Sequence, residues 1–172
     1  NQNVRVISFS RNFGHEAAMI AGIDHAAGDV IICMDADLQH PLECIAPIMA
    51  KFEEGYEVIS MVRTSNKSAG AIKNFTSRAF YRVINALSDQ VKLEENASDF
   101  FAISRNVAAV LKENYREKVR FLRGYVQNVG FPKTTIEYEA RARVAGESKY
   151  SIRKLFQFSV NTIVCFSNLP LK

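Results

Sequence analysis

The sequence predicts an α/β protein with a mostly parallel sheet. Short apolar runs of strand length alternate along the chain with longer segments whose apolar residues recur at helical spacing. One run, residues 30–34, is apolar throughout, which is typical of a strand buried on both faces. The chain has 172 residues, 48% of them hydrophobic, and a chain of this size buries about two thirds of its unfolded surface. We therefore expect one domain with its own core.

The first third of the chain predicts a β-α-β unit followed by a second helix. We expect a strand at residues 4–9, a helix at residues 14–27 with Gly28 as its C-cap, and a strand at residues 29–34. Pro41 suits the first turn of the next helix. Its apolar residues fall at i, i+3, i+4 and i+7 and are expected to cover the sheet. They are Ile45, Ile48, Met49 and Phe52.

The middle of the chain predicts two more strands and a long helix. Residues 57–62 have the composition of a strand, and residues 63–70 form a polar loop. The amphipathic helix that follows has an apolar stripe made of Ile72, Phe75, Ala79, Val83 and Leu87. Residues 98–104 predict a short strand that carries Asp99 at its start.

The last third predicts two short helices, a half-exposed strand and a terminal helix. The short helices are expected at residues 106–113 and 118–129. Residues 134–140 alternate between apolar and acidic side chains, as a strand with one exposed face does. After a loop at residues 141–150, Ser151 suits the N-cap of a helix that continues to about residue 167.

Cysteine usage and charge exclude several classes of protein. The three cysteines are odd in number and form no Cys-x-x-Cys pair, which argues against a disulfide framework and a structural zinc site. The net charge is +4, from 22 basic and 18 acidic residues, which by itself is too mild for a nucleic-acid-binding protein. We therefore expect no nucleic acid partner.

Two carboxylates follow the apolar run of residues 30–34. Buried parallel strands present ligand-binding groups at their carboxyl ends, which is where Asp35 and Asp37 lie. Because side chains alternate along a strand, both would face one cation if the strand continued that far. Hard oxygen ligands beside a phosphate-bearing substrate suit Mg²⁺ or Mn²⁺. The alternative is a solvated turn, since turns favour Asp.

Several motifs occur in a recognisable order. They are residues 10–15 (SRNFGH), residues 35–39 (DADLQ) with Pro41 and Glu43, Asp99 with Phe100, residues 121–124 (FLRG) and residues 146–150 (GESKY). The chain closely resembles the polyprenyl-phosphate branch of the family 2 glycosyltransferases, which includes dolichyl-phosphate mannose synthases and bactoprenol glucosyltransferases. The resemblance spans nearly the whole chain. It implies a GT-A-type three-layer sandwich, a UDP- or GDP-linked sugar donor, a divalent cation and a polyprenyl-phosphate acceptor at the cytoplasmic face of a membrane.

The resemblance also implies roles for single residues. Asp35 resembles the donor-side carboxylate, and Asp37 and Gln39 resemble ligands of Mg²⁺ or Mn²⁺ beside the diphosphate. A bound cation would stabilise the negative charge that builds on the departing diphosphate. Asp99 matches the position that the family uses as catalytic base. The alternative for Asp99 is a carboxylate at a strand start that caps a turn.

The nature of the acceptor decides what Asp99 has to do. A phosphate monoester has a second pKa of about 6 and is largely dianionic at neutral pH, so little proton remains to be removed. With such an acceptor we expect Asp99 to orient the nucleophile or the sugar, whereas a hydroxyl acceptor would need a true base.

An acceptor phosphate needs cationic partners. Arg123, Arg141, Arg143 and Lys149 lie in or near loops around the end of the sheet, and arginine forks bind phosphate oxygens in bidentate fashion. The resemblance places Ser148 and Lys149 by the active site. The alternative is a set of solvated surface charges.

The expected organisation is a catalytic domain at residues 1–150 and an amphipathic, membrane-proximal helix at residues 151–172. The chain begins with Asn1, and the family's opening strand has no counterpart, so we expect a fragment truncated at that strand. Basic residues at the head of the terminal helix, beside apolar ones, suit an anionic membrane surface, and packing on the domain is the alternative.

His15, Phe101 and His40 stand apart from the roles that the resemblance implies. His15 is expected to be a packing or capping residue outside the catalytic set. Phe101 stands where many relatives have Arg, and His40 stands where an acid is common. The alternatives to a polyprenyl-phosphate transferase are a glycosyltransferase that uses a sugar hydroxyl in polysaccharide assembly and a non-catalytic scaffold with the same fold.

Overall fold

The computed structural model describes residues 3–64, 97–116 and 121–141. In chain order its elements are α1 (His15–His25), β1 (Val30–Cys33), a 3-10 turn (Leu42–Cys44), α2 (Ile45–Glu53), β2 (Val58–Arg63), β3 (Ala97–Ser104), α3 (Arg105–Asn114), α4 (Leu122–Asn128) and β4 (Lys133–Tyr138). Each of these helices and strands was predicted from the sequence, with bounds that differ by a few residues.

The described strands form one mixed sheet in the order β1-β3-β2-β4. β3 runs antiparallel to both of its neighbours, whereas β2 and β4 are parallel. β1, β2 and β4 therefore point the same way, and β3 alone is reversed among them. The α/β class and the common direction of most strands are confirmed. The reversal of β3 was not predicted, because an apolar strand pattern carries no information on direction.

Helices cover both faces of this sheet, which gives the three layers that the resemblance implies. On one face, side chains of β1 and β3 such as Ile31, Phe101 and Ile103 pack with α1, α3 and α4. On the other face, Phe100 and Ala102 pack with α2 and Tyr138. Because side chains alternate along β3, its odd-numbered residues face α1, α3 and α4 and its even-numbered residues face α2.

The strand predicted at residues 4–9 is not present. These residues form no ladder, and Val4 and Val6 are 65% and 88% exposed. A strand needs a hydrogen-bonded neighbour, and among the described strands none pairs with this segment. The apolar composition indicated an extended segment, but it could not show whether a neighbouring strand pairs with that segment.

Helix α1 ends earlier than predicted. Its C-cap is Ala26, which is already extended, rather than Gly28. Gly28 instead lies where the chain turns into β1, and a Cβ at that position would come within 3.1 Å of the Val30 carbonyl oxygen. Its small size therefore serves the entry to the strand and not the cap of the helix.

The face predicted for the second helix is only partly buried. Pro41 precedes a 3-10 turn rather than lying in the first turn of α2. Ile48 is fully buried against the sheet, whereas Ile45 and Met49 are 37% and 40% exposed. The helical spacing was correct, but α2 presents a narrower stripe to the sheet than the pattern indicated.

Several predicted features lie outside the described residues. They are most of the loop at residues 63–70, the long amphipathic helix, the loop that contains Arg143, Ser148 and Lys149, and the terminal helix at residues 151–172. Within the described ranges, no helix is long and apolar enough to cross a membrane.

The turn from β3 into α3 yields a stability prediction. Ser104 caps α3 by accepting the Val107 N–H at 3.2 Å, and its hydroxyl donates to Glu57 at 2.9 Å. We expect Ser104→Ala to lower the free energy of unfolding by about 1–2 kcal/mol, as measured by urea denaturation. Ser10→Ala, at an exposed serine outside any helix, is the control and should change it by less than about 0.5 kcal/mol. Equal effects of the two substitutions would contradict the capping role.

Candidate functional site

The reversed direction of β3 brings Asp99 next to Asp35. Cys33 at the end of β1 pairs with Phe101 of β3. Asp35 follows the end of β1 by two residues, and Asp99 lies two residues before Phe101 at the start of β3. The carboxyl end of β1 and the amino end of β3 therefore meet at one edge of the sheet, with both carboxylates on the face that carries α1 and α4.

His15 lies between these two carboxylates. Its Nε2 is 3.4 Å from Asp99 Oδ2 and 3.8 Å from Asp35 Oδ1. His15 is the first residue of α1, and Gly14 before it adopts a φ of +93°, a conformation that favours glycine. The His15 side chain is 42% exposed, so it is not a packing residue of the core. The structure therefore does not support a core-packing role for His15, and its place outside the catalytic set stays untested.

Arg123 holds the other oxygen of Asp99. From α4 its Nε and Nη2 donate to Asp99 Oδ1 at 3.1 and 2.5 Å. Glu16, next to His15, accepts the Leu122 N–H at 2.9 Å, so the start of α1 also fixes the start of α4. Burial raises the pKa of Glu16, and this hydrogen bond opposes the rise.

These contacts control the charge on Asp99. Burial alone would raise its pKa, but the hydrogen bond from His15 and the charge and hydrogen bonds of Arg123 outweigh burial and hold the pKa far below its usual range. Asp99 is therefore a carboxylate at all physiological pH values, and a weak base.

The same contacts favour a proton on His15. The hydrogen bond to Asp99 raises the pKa of His15, burial opposes that rise, and the charges of Asp99 and Asp35 add to it. The His15 imidazole and the Arg123 guanidinium thus lie on different oxygens of Asp99.

His40 fixes the loop after β1 from the opposite face of the sheet. Its Nδ1 accepts the Asp35 N–H at 3.0 Å, which assigns the ring proton to Nε2. The buried ring stacks on Phe100, with centroids 4.8 Å apart, and meets the edge of Tyr138 at 5.9 Å. Burial lowers the pKa of His40 despite the nearby Asp35, so the neutral ring that this hydrogen bond requires is favoured.

The loop that carries Asp37 and Gln39 turns instead of continuing the strand. β1 ends at Cys33, so the condition for strand alternation up to Asp37 is not met. Asp37 Oδ1 accepts the Gln39 N–H at 3.1 Å, which closes a tight turn of the kind that Asp favours. Leu38 between them has a φ of +62° and is 62% exposed. A leucine in this conformation is uncommon and costs about 1 kcal/mol or more, which is typical of functional loops.

Arg141 joins this loop to the end of β4. Its N–H donates to the Gln39 carbonyl oxygen at 3.1 Å, and Gln39 Nε2 donates back to the Arg141 carbonyl oxygen at 3.4 Å. The Arg141 guanidinium donates to Glu43 at 2.6 Å on the exposed surface. The segment that leads into the predicted basic loop therefore starts at the predicted metal loop.

The donor set at this edge of the sheet fits a hard divalent cation. Asp35, Asp37 and Gln39 are half-buried and supply oxygen atoms. Across the described ranges, no group of three or more His, Cys, Asp or Glu residues could hold a metal by itself. A cation here would complete its shell with water and substrate oxygens, as Mg²⁺ usually does.

A cavity of about 470 Å³ opens beside these groups. Asp35, Asp99 and His15 line its polar end, and Ala18, Met19, Gly22 and Ala26 of α1 form one apolar wall. The walls match the usual form of a ligand site, apolar with a few convergent polar groups.

The structure thus brings together most of the residues that the sequence singled out. Asp35, Asp99 and Arg123 meet at one edge of the sheet, and Gln39 contacts Arg141 there. The roles of these residues are not tested by their positions. Sequence reasoning missed His15 and His40 as parts of the site, although His15 lies in the SRNFGH motif and His40 directly follows the DADLQ motif. Their partners Asp99 and Phe100 are distant in sequence, so only the direction of β3 reveals the contacts.

The sequence of this chain is similar to those of known proteins. The family model described as glycosyl transferase family 2 matches residues 1–111. The chain is 42% identical over 98% of its length to the uncharacterized glycosyltransferase YkcC of Bacillus subtilis, and it covers 52% of that protein. It is 37% identical over 96% of its length to the prophage bactoprenol glucosyl transferase homolog of Escherichia coli and 38% identical over 96% to the bactoprenol glucosyl transferase of Shigella phage SfV. The chain spans about half the length of these relatives, namely 54% and 53% of the last two.

The electrostatics of Asp99 predict a pH-dependent contribution to stability. Its pKa is lower in the folded than in the unfolded protein, so its contribution is fully present above the unfolded pKa of about 3.9 and is lost as the pH falls toward the folded value. We expect Asp99→Asn to lower the free energy of unfolding by about 1–3 kcal/mol at pH 7, and the gap to the wild type to narrow below about pH 4. Urea denaturation between pH 7 and pH 3 measures both.

The matched control is Asp29→Asn, because the Asp29 side chain is 93% exposed at the opposite end of β1. Its effect should stay within about 0.5 kcal/mol at every pH. A gap for Asp99→Asn that widens on acidification would contradict the depressed pKa.

Proposed function

The chain belongs to glycosyl transferase family 2, and on that premise we propose that its parent protein transfers a sugar from a nucleotide sugar to a polyprenyl phosphate with inversion at the sugar. The proposal depends most on the state of Asp99. Its two oxygens contact Arg123 and His15, and Asp99, His15 and Asp35 line the same cavity.

The choice of a phosphate acceptor follows from the weak basicity of Asp99. A hydroxyl nucleophile must lose its proton during the transfer, and the group that takes it needs a pKa near the working pH. The depressed pKa of Asp99 makes it poorly suited to that task. A phosphate monoester is already largely dianionic at neutral pH, with a second pKa of about 6, and needs no such base.

The contacts of Asp99 also favour a single displacement. Asp99 Oδ1 is held by Arg123 and Oδ2 faces His15, so the carboxylate is oriented by two helices instead of being presented as a nucleophile. Direct attack by the acceptor phosphate on the anomeric carbon then inverts its configuration. The pinned carboxylate serves to orient the sugar or the acceptor within reach of the donor.

The loop after β1 is the proposed donor side. Asp35 would contact the donor, and Asp37 and Gln39 would hold Mg²⁺ or Mn²⁺. When bound, the cation supplies positive charge to the diphosphate as it leaves the sugar. His40 keeps this loop in place through the Asp35 N–H, and the turn closed by Asp37 sets the position of Gln39.

The proposed acceptor side combines α4 with the segment after β4. A guanidinium has five N–H donors, so Arg123 can hold Asp99 and a phosphate together. Arg141 lies against the metal loop, and Arg143, Ser148 and Lys149 follow it within eight residues. We propose these five residues as partners of the acceptor phosphate.

A lipid acceptor implies action at a membrane surface. Several relatives are named as bactoprenol glucosyl transferases or their homologues. We propose that the parent protein works at the cytoplasmic face of the cell membrane, with residues 1–150 as the catalytic domain and residues 151–172 as a membrane-proximal helix. The basic and apolar residues of that segment support this placement.

The severity of Asp99→Asn tests the acceptor. With a polyprenyl-phosphate acceptor, we expect the rate of radiolabelled sugar transfer by the full-length parent to fall by less than about 100-fold, because no general base is lost. Lipid extraction of the product identifies the acceptor, and Asp29→Asn serves as control. A fall of more than about 1000-fold, with label in a sugar product, would favour the hydroxyl acceptor instead.

Metal removal tests the donor side. We expect a chelator to abolish transfer by the full-length parent and Mn²⁺ or Mg²⁺ to restore it. Calorimetric titration with a nucleoside diphosphate should show binding that depends on Mn²⁺ and weakens by at least about tenfold in Asp37→Ala but not in Asp29→Ala. Transfer that resists the chelator would rule out the metal role, and a parent that binds neither Mn²⁺ nor nucleotide would favour the scaffold.

A further inference from the structure

We infer that His15 is a positioning residue of the transfer reaction, one that fixes Asp99 relative to Asp35. The inference builds on the proposed function, because it assigns a task to a side chain that the motif roles leave out. It depends on the contacts of a single imidazole nitrogen.

His15 lies close to both carboxylates. Nε2 is within hydrogen-bonding distance of Asp99 Oδ2, at 3.4 Å, and 3.8 Å from Asp35 Oδ1. One N–H group therefore lies between the carboxylate proposed to contact the donor and the carboxylate proposed to orient the reaction. The carboxylates of Asp99 and Asp35, which both lie near His15 Nε2, repel each other. A hydrogen-bond donor between them offsets that repulsion.

Hydrogen bonds of the neighbouring residues fix the backbone of His15. Asn12 Oδ1 accepts the Gly14 N–H at 2.8 Å, which orders the loop just before α1. Glu16 accepts the Leu122 N–H, which docks the first turn of α1 on α4. The backbone of His15 is therefore constrained on both sides, and its imidazole has a defined place from which to act.

The His15 side chain faces the cavity. The imidazole lines the same cavity as Asp35 and Asp99 and is 42% exposed. A histidine that only supports the fold would be expected in the core or at a helix cap. This one contacts two acids at the open edge of the sheet, where its loss creates no core cavity.

Loss of the imidazole should therefore alter turnover more than donor affinity. Asp99 would keep Arg123 on Oδ1 but lose the partner of Oδ2, so its carboxylate could rotate away from the productive orientation. A displacement of about 1 Å in a reacting group can reduce the rate by about 100-fold. The loop of Asp37 and Gln39 is held by its own turn hydrogen bond and by Arg141, so we expect it to bind nucleoside diphosphate as before.

The test uses four variants of the full-length parent. In His15→Gln the amide N–H can take the position of the imidazole Nε2, whereas in His15→Asn the shorter side chain cannot reach it, and His15→Ala has no donor at all. His25→Ala removes the other histidine of α1, which is exposed and whose Nδ1 contacts the Ala21 carbonyl oxygen in its own helix, and serves as the matched control. The measurements are kcat and KM for sugar transfer, nucleoside diphosphate affinity by calorimetry, and the melting temperature.

We expect kcat to fall about 10- to 100-fold in His15→Ala and His15→Asn, with nucleoside diphosphate affinity changed by no more than about twofold. His15→Gln should recover kcat to within about fivefold of the wild type, and His25→Ala should match the wild type. Unchanged kcat in His15→Ala would overturn the inference. So would equal losses in the Gln, Asn and Ala variants, or losses that follow the melting temperature.

Failure of the proposed function gives a different result. A wild-type parent that transfers sugar to a hydroxyl acceptor but not to polyprenyl phosphate overturns the proposed acceptor, and the four variants are then compared on the acceptor that is used, with the same criteria. A wild-type parent that transfers no sugar to either acceptor overturns both.

Discussion

The reversed strand β3 is the constraint on which the site depends. If β3 ran parallel to β1, its amino end would lie at the opposite edge of the sheet, and Asp99 would be a strand length away from Asp35. Because it runs antiparallel, the end of one strand and the start of the next share an edge. Because side chains alternate along β3, Asp99 lies on the face of α1 and α4, which carry His15 and Arg123. Phe100 lies on the opposite face, where His40 packs.

Electrostatics and burial act together at this edge. Two acids would repel each other in a half-buried position, and the imidazole and guanidinium offset that repulsion while keeping Asp99 ionised. The neutral His40 does a different task, since it fixes the backbone of the loop through a hydrogen bond and an aromatic stack instead of through charge. Position and protonation of the site are thus set from opposite faces of one sheet.

The sequence was sufficient for what depends on local pattern. Helical spacing and apolar runs located α2, α3, β2 and β4 closely, and the motif after β1 located the acids. The direction of each strand, the pairing of the strands and the contacts between distant residues could not be predicted from the local pattern. The segment at residues 4–9 has a strand's composition but no partner in the described sheet. The contacts of His15 with Asp99 and of His40 with Phe100 join residues far apart in sequence, which a local pattern does not reveal. The basic loop that contains Arg143 lies outside the described residues, so its role stays a prediction.

The reciprocal hydrogen bonds between Gln39 and Arg141 have a thermodynamic consequence. They connect the turn after β1 to the segment that follows β4. A shift of either segment therefore breaks hydrogen bonds to the other. A ligand that stabilises one arrangement of the turn therefore biases the arrangement of the exit, and by reciprocity the bias is equal in both directions. If the donor and the acceptor phosphate bind on the two sides as proposed, we expect each to change the affinity for the other by the same factor.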